Sequence, residues 1–159
     1  MNNRKLSLVV CIILAMTFIM GCGKKEEEAI GGTVATNLYI AFQNEIENEK
    51  DLEKVARSLL ASDDLSELAT DCVYIEEGYL NGFDDEIKGF NQGIMFAPMI
   101  GTIPFVGYIF ETDSPDALVD TLSEHAMLNW NICTVADEMV VKAVDNYVFF
   151  VMAPESFDQ

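Results

Sequence analysis

Basic residues are what this sequence has least of relative to its needs: 9 Lys and Arg stand against 27 Asp and Glu, for a formal charge of −18 and a pI near 4.1. No basic stripe is present to neutralise phosphates, which excludes nucleic acid as a partner. Histidine occurs once, at His125, and the cysteines number four. Zinc needs several Cys or His ligands at close spacing, and this pattern offers none. A phosphate-binding loop, a dinucleotide fingerprint and a nucleophile elbow are all missing, so the commonest local signatures of nucleotide and acyl-transfer chemistry are absent. No metal, cofactor or catalytic residue is expected. What the chain does have is apolar content, 50% of 159 residues. So high a fraction excludes a disordered acidic tail, and the length suits one domain.

Part of that apolar content is concentrated at the start. Arg4 and Lys5 precede Leu6–Met20, a run without charge, as in a secretory signal peptide. The run is shorter than the roughly 20 residues that span a bilayer. It ends in Ile19-Met20-Gly21-Cys22, which resembles the lipobox of bacterial lipoproteins. The resemblance implies that Cys22 receives a diacylglyceryl group, that cleavage falls between Gly21 and Cys22, and that Ile19 fills the −3 position. It places the mature protein on the extracytoplasmic face of a bacterial membrane. At ~0.8 kcal/mol per buried methylene, one acyl chain such as palmitate holds weakly and two hold stably. Loss of residues 1–21 removes Arg4 and Lys5 and takes the formal charge from −18 to −20. Residues 22–33, the lipidated cysteine followed by a polar, glycine-containing stretch, read as a flexible tether. Residues 34–159 read as a single domain.

Within that domain, Val34, Leu38, Phe42 and Ile46 recur every four positions, a helical stripe, and Asp51 caps a second helix through Leu52, Val55, Ala56, Leu59 and Leu60. Cys72-Val73-Tyr74-Ile75 predicts a strand, and residues 78–82 a loop. Gly89 to Phe110 contains no charge, but its prolines and glycines break it into two strands, about 92–97 and 104–111. Ser114-Pro115-Asp116 predicts a helix start, with Leu118, Leu122 and Ala126 facing inward. Asp145-Asn146 sits between 139–144 and 147–152 as a two-residue hairpin turn, which pairs Val144 with Tyr147 and, six steps out, Met139 with Met152. One hairpin face, with Met139, Val141, Ala143, Val148, Phe150 and Met152, is core. The other, with Val140, Lys142, Val144, Tyr147, Phe149 and Val151, is either covered by the first helix, the expected case, or an exposed patch. Together these elements predict an α+β domain, two-layered, with helices packed on an antiparallel sheet. The order of segments from Asp51 to Met152, with Leu52-Glu53-Lys54-Val55-Ala56 at its start and a Ser-Pro-Asp-Ala-Leu helix, is similar to small lipoproteins of clostridial-type Gram-positive bacteria. That resemblance implies an address and a fold, and no activity.

A few residues invite chemistry. Cys72 and Cys133 remain after Cys11 leaves and Cys22 is acylated; outside the cytoplasm they could pair as a disulfide or act as small hydrophobes. His125 with Cys133 would make a thiol–imidazole pair without an orienting third group, and the dipole at a helix C-terminus accounts for the histidine. Asp84-Asp85-Glu86 lacks the ligand order of a calcium loop and reads as solvated. Asn129-Trp130-Asn131 could stack on a sugar or peptide, or pack on the core with the asparagines in turns. Tyr147 and Phe149 become contact residues if their face is open. The expected function is a non-catalytic binding or accessory module of the cell envelope that meets a basic protein or peptide through the Trp130 region, the Val140/Tyr147/Phe149 face or the Gly-rich 89–107 segment; the alternative is an envelope enzyme, or its accessory, acting on peptide or cell-wall substrates.

Overall fold

The computed structural model describes residues 32–157. Helix α1 (Val34–Asn48) begins where the Thr33 side chain accepts the Thr36 N–H, and its predicted stripe Val34, Leu38, Phe42 and Ile46 is buried. The chain leaves α1 at Glu49, and Asp51 accepts the Glu53 and Lys54 N–H groups to start α2 (Leu52–Leu60), so Asn48-Glu49-Lys50 is a break between two helices. Seven strands follow, interrupted by one helix: β1 (Thr70–Ile75), β2 (Gly78–Tyr79), β3 (Glu86–Ile87), β4 (Gln92–Pro98), β5 (Val106–Glu111), α3 (Pro115–His125), β6 (Glu138–Val144) and β7 (Tyr147–Ala153).

Five strands form one sheet in the order β1-β4-β5-β7-β6, with every neighbouring pair antiparallel. The hairpin register is the one expected, from Val144 opposite Tyr147 out to Met139 opposite Met152. Asp145 takes φ of 53°, the left-handed backbone that a two-residue turn demands. Every residue of β7 is buried, because strands flank it on both edges and helices cover both faces.

The α+β class and the antiparallel sheet with helices packed on it are as the sequence indicates. The helices divide between the faces, so the sheet is the middle of three layers where two were expected. On one face, α1 and α2 pack against Ile94, Phe96, Ile109, Phe149 and Val151. On the other, Leu118 and Leu122 of α3, with Phe83, Ile87 and Phe90 from the β1–β4 connection, pack against Tyr108, Phe110, Val148 and Phe150. Period-two alternation along β7 sends Phe149 to one core and Phe150 to the other. The connection itself contains the two-stranded ribbon of β2 and β3, in a stretch where the sequence suggests only a loop. No helix among the described residues is long and apolar enough to cross a membrane.

This topology gives the sheet two unlike ends. At one end lie Thr70, Pro98, Val106, Glu138 and Ala153, as the strand registers require. Here run the α2–β1, β4–β5 and α3–β6 connections. The chain also joins the domain here: Val34 donates its N–H to the Glu155 carbonyl, and Glu138 accepts from the Thr33 hydroxyl at 2.7 Å and from the Ala35 N–H at 3.0 Å. Thr33, expected as the last tether residue, is therefore part of the fold. At the far end, buried Thr112 donates its hydroxyl to the Gly89 carbonyl and its N–H to the Asn146 carbonyl, tying three connections together.

Candidate functional site

Two connections at the end where the chain joins the domain hold one another. The Asn131 amide donates to the Gly101 carbonyl at 2.7 Å, and the Thr134 hydroxyl donates to the Thr102 carbonyl at 3.0 Å. Met99 donates its N–H to the Ala69 carbonyl, which fixes the same β4–β5 loop against the start of β1. The α3–β6 loop is closed on itself by Ala136 N–H to Leu128 C=O. With both backbones held this way, the apolar side chains of the loops point outward: Met99 is 73% exposed, Ile100 57%, Ile132 99% and Val135 58%. With Leu128, also exposed, five large apolar groups on two tied loops face solvent, the marked surface feature of this end. Neither Met99–Phe105 nor Ala126–Ala136 contains a charged residue, in a chain with 27 acids.

Trp130 lies within this assembly. Its ring is partly buried against the core on the α3 side, and its backbone N–H donates to the Met127 carbonyl in a turn. Asn131 spends its side-chain amide on the neighbouring loop, while Asn129 is exposed. The three residues thus act as a packed aromatic in a turn with one structural asparagine.

Tyr147 and Phe149 are removed from the surface. Phe149 is fully buried, stacked on Phe42 with centroids 5.0 Å apart and tilted against Tyr39 at 5.9 Å. Tyr147 is buried under Lys50, whose ammonium stands 5.2 Å from the ring centroid. Burial is also the first cause of the upward shift of its phenol, followed by the charges of Glu111 and Asp145. The candidate contact role of these two residues is corrected: α1 and the α1–α2 break cover their face.

Cys72 and Cys133 are both free thiols. Cys72 is half-buried beside α2; burial pushes its thiol up, the Arg57 guanidinium opposes this, and Asp71 and Glu53 reinforce it. A raised thiol is the opposite of what a nucleophile requires. Cys133 is exposed on the α3–β6 loop, next to Ile132. His125 directs Nδ1 to Asp84 Oδ1 at 3.0 Å, and Asp84 donates its N–H back to the His125 carbonyl. This reciprocal pair fastens the end of α3 to the β2–β3 ribbon. Asp84, Asp85 and Glu86 are exposed, with Glu86 paired to Lys88, and no cluster of three metal-ligating side chains occurs among the described residues. A shallow depression of about 80 Å³, lined by Lys88, Gly89, Ser114 and α3 residues, is well below the roughly 300 Å³ of a small-molecule site.

Met99 and Ile100 fall within the 89–107 segment and Ile132 beside Trp130, both candidate contact regions from the sequence; what sequence reasoning missed is Val135, together with the two hydrogen bonds joining the loops. The one signal for Val135 was apolar content outside any strand or helical period, in a stretch without charge. Ile19, Gly21 and Cys22 lie outside the described residues. Comparison with protein-family models, with curated proteins and with solved structures gives no match to this chain. Fold and surface together define the class: a small α+β domain with both sheet faces covered and a charge-free, apolar pair of loops beside the point at which the chain joins it.

Proposed function

We propose that this chain is a bacterial lipoprotein, held on the extracytoplasmic face of a membrane by a diacylglyceryl group on Cys22, whose domain serves as a non-catalytic binding or accessory module of the cell envelope. The observation that carries the reading is the spacing of two features: the lipobox-like Ile19-Met20-Gly21-Cys22 stands ten residues ahead of Gly32, where the described domain begins. A signal, a lipid attachment point and a short tether then lead directly into a folded body.

The similarity to clostridial-type lipoproteins in segment order belongs to the same proposal. A basic protein or peptide is the partner that suits it. Exposed Glu76, Glu77, Asp113 and Asp145 gather at the far end of the sheet, away from the tether, and would attract such a partner by a field that salt screens over about 8 Å at physiological strength.

The test is the mass of the N-terminal peptide of the mature protein. A diacylglyceryl group on Cys22, lost together with membrane fractionation in Cys22→Ala, is the expected result. An unmodified Cys22 in membrane-associated protein overturns the reading. Capture of a basic partner should weaken as salt rises; capture indifferent to salt overturns the electrostatic part.

A further inference from the structure

The apolar loops and Thr33, where the chain enters α1, lie at the same end of the sheet. Thr33 is bonded to Glu138 at the start of β6, and the loop carrying Ile132 and Val135 runs directly into that strand. The β4–β5 loop carrying Met99 and Ile100 is tied to this loop through Asn131 and Thr134. Gly32 stands ten residues after Cys22, a length of chain that reaches at most about 35 Å. Lipid attached at Cys22 would therefore hold this end within about 35 Å of the bilayer, nearer on average than the opposite end.

We propose that the Met99–Ile100 and Ile132–Val135 loop tips insert into the lipid interface, so that the anchored domain sits on the membrane by this end instead of swinging on its tether. This inference rests on the lipid-anchor reading above. Four observations favour lipid as the occupant. The exposed groups are aliphatic or thioether side chains, the kind that partition into the acyl boundary without unsatisfied polar atoms. Their loops carry no charge to desolvate. The loops are braced by hydrogen bonds, so insertion costs little further ordering. Finally, Glu76, Glu77, Asp113 and Asp145 occupy the far end, where repulsion from anionic headgroups turns them outward. Acids also flank the docking end, with Asp63 and Glu67 exposed on the α2–β1 connection and Asp137 at the foot of β6. Seating is therefore stronger on zwitterionic than on anionic lipid.

Cys133 supplies a native probe, because it is exposed and adjacent to Ile132. The acylated full-length protein, in a Cys72→Ala background, is labelled there with an environment-sensitive fluorophore and reconstituted into phosphatidylcholine vesicles containing headgroup-region spin-labelled lipid. A second sample carries the label at the far end through Asp113→Cys with Cys133→Ser. The Cys133 label should shift to the blue and be quenched several-fold more than the Asp113 label. Met99→Glu with Ile132→Glu, both exposed and without a packing role, should bring the two labels to equal quenching. Equal quenching in the parent protein overturns the docking when mass spectrometry of the same sample finds Cys22 acylated. Cys133 shielded from alkylation on cells but unquenched in vesicles assigns a protein to this surface and likewise overturns it. An unacylated Cys22 overturns the anchor, and the docking falls with it.

Discussion

Helix α1 has no acidic residue in its own first turn. Its N-terminal N–H groups therefore need an outside acceptor, and a carboxylate more than a hundred positions away supplies one. Glu138 Oε1 accepts the Ala35 N–H at 3.0 Å while Oε2 accepts the Thr33 hydroxyl at 2.7 Å. Hydrogen bonds to an ionised acceptor contribute about 1.5–3 kcal/mol each when shielded, and the helix dipole adds about 0.3–1 kcal/mol. The site is only partly buried, so water discounts these figures, and Glu138→Ala should cost about 2.5 kcal/mol in total. For a domain of this size that corresponds to a fall of roughly 10 °C in melting temperature, or about 1–1.5 M in urea midpoint with an unchanged slope. Glu138→Gln keeps the shape and one good acceptor and should lose about half as much. Urea unfolding followed by circular dichroism and by Trp130 fluorescence measures all of this. Thr33→Ala combined with Glu138→Ala should show a coupling of about 1 kcal/mol. A Glu138→Ala protein within about 0.5 kcal/mol of the parent would refute the reasoning, since the cross-chain cap would then be a contact without energetic consequence.

Three further outcomes follow from the packing. Gly107 faces Phe96 across the β4–β5 pair, and a Cβ there would fall 2.2 Å from the buried ring; Gly107→Ala should lower stability by about 1–3 kcal/mol in a chemical melt, and a neutral result would mean that the ring has room to move. Burial holds the Tyr108 phenol well above its ordinary value, and its hydroxyl donates to the Asn81 carbonyl at 2.8 Å. A group raised in the folded state stabilises the fold below its unfolded pKa of about 10 and loses that contribution as pH rises further. Alkaline titration at 295 nm should accordingly show one tyrosine ionising only as the domain unfolds, and independent ionisation in the folded protein would contradict its burial. Cys133 should react with a maleimide far faster than Cys72, whose thiol burial pushes up; equal rates, or a Cys72–Cys133 crosslink in non-reduced peptide maps, would contradict the placement of the two thiols.

Much of this architecture was legible because it is local. The alternation on each side of Asp145-Asn146 leaves one register that segregates the apolar faces, and that register is found. Asp51 ahead of Leu52-Glu53-Lys54-Val55 announces a cap, and it accepts two N–H groups. Ser114-Pro115 marks the start of α3, although the Ser114 side chain makes no cap bond and its N–H donates instead to Thr112 Oγ1 at 3.1 Å. What was not legible depends on long-range geometry. Phe149 belongs to a face that pattern alone leaves either open or covered, and its burial follows from a stripe on α1 more than a hundred residues earlier. Asn131 looks like a ligand-binding asparagine until the Gly101 carbonyl is brought to it from a loop thirty positions away. The β2–β3 ribbon is two residues per strand, too short for any periodicity to register.

The position of β7 governs when the molecule can acquire its structure. It is the last strand in the chain yet lies inside the sheet, bonded to β5 and β6 and buried along its whole length. Phe42 has no stacking partner and Val34 no carbonyl to bond until this segment and the residues just after it have been delivered. A chain that emerges from the ribosome, or passes through a membrane, N-terminus first therefore exposes α1 and α2 long before the surface that retains them exists. Such dependence on distant partners postpones closure until nearly all of the sequence is present. The late arrival of β7 turns its delivery into the step that commits the molecule to its native form.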